Sequence, residues 1–269
     1  MDLSVVTVNL NTKKLTLESI KSVLKEGLNL EIIVIDNGST DGSVEALEDL
    51  AKKKLIKLIK NYRNLGFAKA NNQGMKIAKG EYILLLNNDT IVKKGAIKKL
   101  LDFAKEIKEA GVVGSKLLNI DGSLQPSCFR FPTIKNAIRQ YWFGKKGLFE
   151  KYAPKGKRAT SVDAVVGAVF LITPLARKKV GLLDERYFAY FEDIDYCRRV
   201  WKAGLKVYYL PEAEIIHHHG ATFKKMADEE VRWKKLIPGS KIYHGIVKHY
   251  LINTVIWLGQ KWQKYFLGR

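Results

Sequence analysis

Through the first 120 residues, short apolar runs alternate with segments whose apolar positions recur at spacings of three and four. The runs predict strands over 3–8, 31–35, 56–60, 82–86 and 111–117. The helical spacing predicts helices over 15–26, 43–54, 68–78 and 95–109, with Asp41-Gly42-Ser43 and Asp89-Thr90 as starting signals. Regular alternation of this kind specifies an α/β fold with a mostly parallel sheet flanked by helices. From 119 to 160 the pattern breaks into Gly, Pro, aromatic and basic residues, which predicts a long excursion placed to cover a site. Regularity returns in a strand over 162–172, a helix over 194–203 and a short strand over 206–210, and no internal repeat is visible.

The tail has another character. Over 240–266, Tyr243, Ile246, Val247, Tyr250, Leu251, Thr254, Val255, Leu258 and Trp262 recur at helical spacing among Lys241, Lys248, Lys261 and Lys264. This predicts an amphipathic helix whose apolar stripe packs on the domain, packs on a second copy in a homodimer, or docks on an anionic membrane surface through 240–269.

Composition narrows the classes. At 46% apolar over 269 residues, the chain can build a sizeable core, and disorder throughout is excluded. Two cysteines are too few for a disulfide framework, the start lacks a basic leader, and no apolar run reaches the ~18 residues of a membrane span. These features predict a cytoplasmic protein, at most peripheral on the inner face of the membrane. A net charge of +20 fits nucleic acid, an anionic membrane, phosphorylated substrates or a solvated lysine-rich surface. No helix-turn-helix, RNA-recognition or zinc signature is present, so nucleic acid is not an expected partner.

In a parallel α/β sheet, ligands bind outside the carboxyl ends of the strands. Polar residues gather there: Asn9-Leu10-Asn11, Asp36 to Ser43, Asn64-Leu65-Gly66-Phe67 and Asn87-Asn88-Asp89. Neither Gly-x-Gly-x-x-Gly nor Gly-x4-Gly-Lys-Ser/Thr occurs, which counts against dehydrogenase and P-loop chemistry. Asp36 is placed either to accept hydrogen bonds from a base or ribose or to close a turn, and Gly66 would let backbone approach a ligand. Asp41 reads as a loop residue closing onto a helix. Asp89, following a fully apolar strand, is placed to bind Mg²⁺ or Mn²⁺, which takes one or two carboxylates and fills its other positions with water and phosphate. Its competing role is to cap the helix at 95.

Taken in order, these blocks resemble the family 2 glycosyltransferases of the GT-A fold, particularly the rhamnosyltransferase-like branch. Asp36-Asn-Gly-Ser-Thr-Asp41-Gly-Ser, Asn64-Leu-Gly66-Phe-Ala-Lys-Ala-Asn71-Asn72-Gln-Gly74 and Leu86-Asn87-Asn88-Asp89 stand in family order. So do Gly167-Ala168, Phe191-Glu192-Asp193-Ile-Asp195-Tyr-Cys-Arg198 and Pro211 through His217-His-His-Gly220, over roughly residues 3–222.

The resemblance implies that Asp36 recognises the base and that Asn9, Asn64, Gly66, Asn72, Asn88 and Gly167 belong to the nucleotide-sugar site. Asp89 would meet the diphosphate through Mg²⁺ or Mn²⁺, with His217 completing coordination; Asn87-Asn88-Asp89 departs from the family's usual two acids. Glu192 and Asp193 would carry the catalytic base, Asp193 foremost, while Asp195 caps its helix or pairs with Arg198 or Arg199. Implied domains are a catalytic unit, 1–225, with a nucleotide-binding half (1–118) and an acceptor half (119–225), and a helical extension, 226–269. The implied reaction is inverting transfer, first of rhamnose from a dTDP donor and next of a UDP-linked sugar, to a glycan or polyprenyl-linked acceptor in cell-surface polysaccharide synthesis. Sugar-1-phosphate nucleotidyl transfer shares the sheet topology but wants a Gly-rich phosphate loop after the first strand. A nucleic-acid-binding module is the third reading.

Overall fold

Twelve strands and nine helices are described in the computed structural model, which covers residues 1–218 and 229–266. The first half runs β1 (Leu3–Asn9), α1 (Lys13–Leu24), β2 (Leu30–Asp36), α2 (Ser43–Lys52), β3 (Lys57–Lys60), α3 (Phe67–Ile77), β4 (Tyr82–Leu86), β5 (Thr90–Val92), α4 (Ala96–Glu106) and β6 (Ala110–Leu118). The excursion holds β7 (Leu124–Gln125), β8 (Cys128–Phe129), α5 (Ile134–Tyr141) and β9 (Thr160–Ser161). Then follow β10 (Ala164–Val165), β11 (Val169–Ile172), α6 (Pro174–Val180), α7 (Glu192–Lys202), β12 (Lys206–His217), α8 (Glu229–His244) and α9 (Ile246–Phe266).

The main sheet has the order β3-β2-β1-β4-β11-β6-β12-β5. Strands β3, β2, β1 and β4 are mutually parallel, as are β6 and β12, whereas β11 lies antiparallel between β4 and β6. Both faces are covered, which is why β4 can be apolar at every position: Tyr82, Leu84 and Leu86 pack with α1, α2 and α4, while Ile83 and Leu85 pack with α3, α6 and α7. The sheet is thus mixed but mostly parallel, with helices on both faces.

Several local expectations change. Asp89-Thr90 does not open a helix, because Thr90 enters β5 and pairs with His217. The N-terminus of α4 is instead satisfied by Glu26, whose carboxylate accepts from Gly95 N (2.7 Å) and Ile97 N (3.1 Å). The strand expected over 162–172 breaks at Val166-Gly167-Ala168, with β10 in a small two-stranded sheet and β11 in the main one. The strand expected to end at 210 continues to His217 through a register shift between Leu210 and Glu214.

The tail is where hydrophobic spacing misled most. It forms two helices, broken at Gly245 (φ 78°), and α9 packs on α5. Apart from Trp262, which stacks on Trp142, the apolar stripe faces away from α5: Ile246, Val247, Tyr250, Leu251 and Leu258 are exposed, while the opposite face, with His249, Ile252 and Gly259, is buried. Close approach selects that face. A Cβ on Gly259 would lie 2.8 Å from the Tyr141 carbonyl oxygen, and the Trp142 indole N–H donates to the Val255 carbonyl (3.0 Å). Tyr243 of α8 is buried in the same core layer as α7. The expected division at 225/226, and the stretch from His219 through Gly220 and Thr222, lie outside the described residues.

Candidate active site

Parallel pairing sets Asn9 beside Asp36 at the carboxyl ends of β1 and β2. The Asp36 carboxylate accepts from Gly38 N (3.2 Å), Ser39 N (2.9 Å) and Asn9 Nδ2 (2.7 Å). It therefore closes a turn, and a carboxylate with about four acceptor positions still has one for a ligand. Asn9 Oδ1 accepts from the Thr12 (3.0 Å) and Thr16 (2.7 Å) hydroxyls and from Asn88 Nδ2 (3.3 Å). Asn88 Nδ2 also donates to those two hydroxyls. Asn72 is engaged just as fully, donating to the Leu183 carbonyl (2.9 Å) and accepting from Leu183 N (3.0 Å). Buried and hydrogen-bonded within the protein, Asn9, Asn72 and Asn88 brace the residues around the crevice.

Asn64 accepts from Asn37 Nδ2 (2.8 Å) and Gly66 N (2.9 Å), tying the loop after β3 to the end of β2. Gly66 has φ 86°, and a Cβ there would sit 2.6 Å from the Phe188 carbonyl oxygen, which already accepts from Phe67 N (2.8 Å). The positive φ and this loop contact both require glycine there.

Asp89 and His217 meet because β5 and β12 pair in register, and both are buried. Gln125 donates from Nε2 to Asn119 Oδ1 (2.8 Å) and the His217 carbonyl (3.2 Å), so its Oε1 accepts from His217 Nδ1–H (2.7 Å). That leaves His217 Nε2 facing Asp89 Oδ1 at 3.2 Å. A proton or a divalent cation shared between these two atoms would make the contact favourable. The pair fits a hard divalent cation: two neighbouring ligands at ~2.1 Å in octahedral geometry lie about 3 Å apart. Among the described residues no third His, Cys, Asp or Glu joins them, so further ligands would be water and phosphate.

Glu192 and Asp193 open α7, directly after Tyr190 (φ 68°) and Phe191 (φ 71°). Two consecutive left-handed non-glycine residues are strained, and the turn is held by the Phe191 ring against Tyr243 (5.5 Å between centroids) and His244 (6.4 Å). Asp193 Oδ2 accepts from Gly167 N (2.9 Å), and its Oδ1 from Ile194 N (2.8 Å). Glu192 is buried, and among the described residues its Oε2 has no hydrogen-bond partner. Burial, reinforced by the charge of Asp193, pushes Glu192 up to about 8. Burial raises Asp193 as well, opposed by its two N–H donors and by the charge of Lys151. Both carboxyls of the pair therefore hold a proton more tightly than exposed acids do, while the two N–H donors favour the charged form of Asp193.

Asp195 pairs with both Arg198 and Arg199 (2.9 Å each) and is thereby accounted for. The pair borders a crevice with Phe67, Leu85, Gly167, Phe170 and Leu183. One turn links it to the strand ends: Gly167 N donates to Asp193, and the next residue, Ala168, accepts from Asn87 N (2.9 Å).

Residues 4–152 match the model of the family described as Glycosyl transferase family 2. The chain belongs to that family. Membership makes glycosyl transfer, rather than nucleotidyl transfer, the chemistry to which this family 2 site is built. An N-acetylglucosaminyl-diphospho-decaprenol L-rhamnosyltransferase of Mycobacterium tuberculosis is 28% identical over 243 residues, covering 76% of each chain. The dTDP-rhamnosyl transferase RfbF of Shigella flexneri is 28% identical over 220 residues, covering 80% of this chain and 68% of its own. Among solved structures, S. aureus TarS 1-349 in complex with UDP-GlcNAc superposes with a TM-score of 0.60 at 16% identity, covering 99% of this chain and 73% of that one. That likeness concerns the fold.

Sequence reading did not find Gln125, which orients His217, or Lys151, whose charge reaches Asp193. Both lie in the 119–160 excursion, where no periodicity marks one polar residue above another.

Proposed function

We propose that this glycosyltransferase moves a sugar from a nucleoside diphosphate to a hydroxyl of a glycan or polyprenyl-linked acceptor, with inversion, in cell-surface polysaccharide synthesis. One observation carries the reading: the Gly167-Ala168 turn is bonded on one side to Asp193 and on the other to Asn87, two residues from Asp89. Two hydrogen bonds on consecutive residues thus link the acid pair to the strand end that carries Asp89.

Asp193 takes the proton of the acceptor hydroxyl as that oxygen attacks the anomeric carbon opposite the departing diphosphate. Its two N–H donors fix its orientation, and its raised proton affinity makes it a stronger base than an exposed aspartate. Burial and the charge of Asp193 raise the proton affinity of Glu192, which disfavours two negative charges on the pair at once. Phe67, Leu85 and Phe170 line the crevice with apolar surface that disfavours water. Asp89 and His217 would hold Mg²⁺ or Mn²⁺, which neutralises charge gathering on the leaving diphosphate.

The names of the two relatives favour rhamnose as the sugar and a decaprenol-linked acceptor; UDP-sugars are the next donors to try. Incubation with dTDP-rhamnose or UDP-sugars and a polyprenyl-diphosphate-linked sugar tests the reading. The expected products are free nucleoside diphosphate and an extended acceptor; release of pyrophosphate would overturn it.

A further inference from the structure

We infer that the outward face of α9, together with the basic segment around α5, docks on an anionic bilayer surface. The outward stripe of α9 is strongly apolar: Val247 is 83% exposed and Tyr265 73%, with Tyr250, Leu251 and Trp257 between them. At the end of α5, Phe143 is 79% exposed. Among the described residues nothing covers this stripe, because α9 meets α5 with its opposite face. Large apolar side chains gathered in this way mark an interaction surface.

Charge selects the occupant. Residues 130–158, which include α5, hold nine Lys and Arg against a single acid, Glu150; residues 240–265 hold four Lys and no acid. Lys145, Lys146, Lys248, Lys261 and Lys264 are exposed. Lys261 Nζ lies 4.0 Å from the centroid of the Trp257 ring, so cation and aromatic share the same surface. A second copy would bring lysine against lysine. A bilayer of anionic lipid satisfies both features, taking aromatic rings into the headgroup boundary and lysines against its negative surface. No described helix is long and apolar enough to cross a membrane, so α9 lies along the surface.

The face also connects to the crevice. Tyr243, just before α9, packs on Phe191, the residue preceding the acidic pair, and Lys151 of the basic segment acts on Asp193. An acceptor carried in the bilayer would then present its hydroxyl beside Asp193. This last step rests on the acceptor proposed above, whereas docking itself does not.

Co-sedimentation of the full chain with vesicles tests the inference. The chain should pellet with equal parts phosphatidylglycerol and phosphatidylcholine, weakly with phosphatidylcholine alone, and less as salt rises. The triple variant Lys145→Glu, Lys146→Glu, Lys264→Glu should bind at least ~10-fold more weakly, since each lysine near an anionic surface is worth about fivefold. Val247→Ser with Tyr265→Ser should weaken binding even at high salt. Both variants should keep the wild-type melting temperature and its shift with nucleotide. No pelleting of the wild type, or equal pelleting of the triple variant, would overturn the docking face while an intact nucleotide shift left the transfer reaction standing. A dimer that the Val247→Ser, Tyr265→Ser variant dissolves, without vesicle binding, would give the face to a second copy. Salt-sensitive binding of DNA in place of vesicles would give it to nucleic acid.

Discussion

Asp36 and Glu192 are both buried acids of the same catalytic fold, and the protein treats them in opposite ways. Asp36 accepts three hydrogen bonds and closes a turn, and around it Asn9, Asn88, Thr12 and Thr16 form a web in which donors meet acceptors. Glu192 keeps an oxygen without a partner among the described residues, sits after two strained residues and is pushed up to about 8. A satisfied buried network is rigid, which suits a receptor for a nucleotide. An under-satisfied acid pair is costly to fold and chemically poised, which suits proton transfer. On the function proposed above, labour would divide between a preformed binding half and a strained helix start that keeps its carboxylates basic.

The largest effect should come from the strained side. Asp193→Asn keeps shape and loses the base, so turnover should fall by ~10²–10⁴ while donor affinity stays near wild type; wild-type turnover would remove Asp193 from the role. On the binding side, Gln125→Leu frees His217 from its orienting bond and should weaken Mn²⁺-dependent donor binding by about 10–100-fold, as loss of a hydrogen bond behind a metal ligand does. Titration calorimetry with and without EDTA reads it, and unchanged affinity would separate His217 from the metal. Gly66→Ala places a Cβ against Phe188 at an unfavourable φ and should cost about 1–3 kcal/mol in denaturant unfolding. A neutral result would mean that the two loops do not touch.

A further effect concerns pH. Glu192 rises from 4.5 to about 8 on folding, so between those values the unfolded chain releases a proton that the folded chain keeps. Stability is therefore lost as pH climbs through that window. Glu192→Gln removes this contribution, and its melting temperature should decline less than that of the wild type between pH 5 and 8. Parallel declines would place the proton elsewhere.

The strand-end residues were legible because a parallel sheet fixes where its loops lie once the strands are known, and β4 announces itself by apolar residues at every position. Asp89 was legible in the same way, whereas His217 and the pair at 192–193 were implied only by the resemblance to family 2 glycosyltransferases. The sequence pattern missed what depends on distant contacts. Gly167 interrupts an apolar run because its N–H is turned to Asp193, a bond 26 residues long in sequence. Glu26, not Asp89, caps α4 across a distance of 69 residues. In the tail, spacing identified a helix but not its buried face, since Gly259 and the Trp142 indole bond decide which side meets α5. Asn9, Asn72 and Asn88 were found as polar strand-end or helix residues, yet only coordinates reveal that their amides are engaged within the protein.

The binding half is tested most directly by the melting temperature of the wild type and of Asp89→Ala with dTDP, UDP and their sugars, in Mn²⁺ and in EDTA. A ligand that binds the folded state at about 100 times its Kd stabilises it by ~2.7 kcal/mol, which a melting curve resolves. The account predicts a rise with dTDP or UDP in the wild type that requires Mn²⁺ and disappears in Asp89→Ala. A rise that persists in Asp89→Ala or in EDTA, or no rise with any nucleotide, would contradict it.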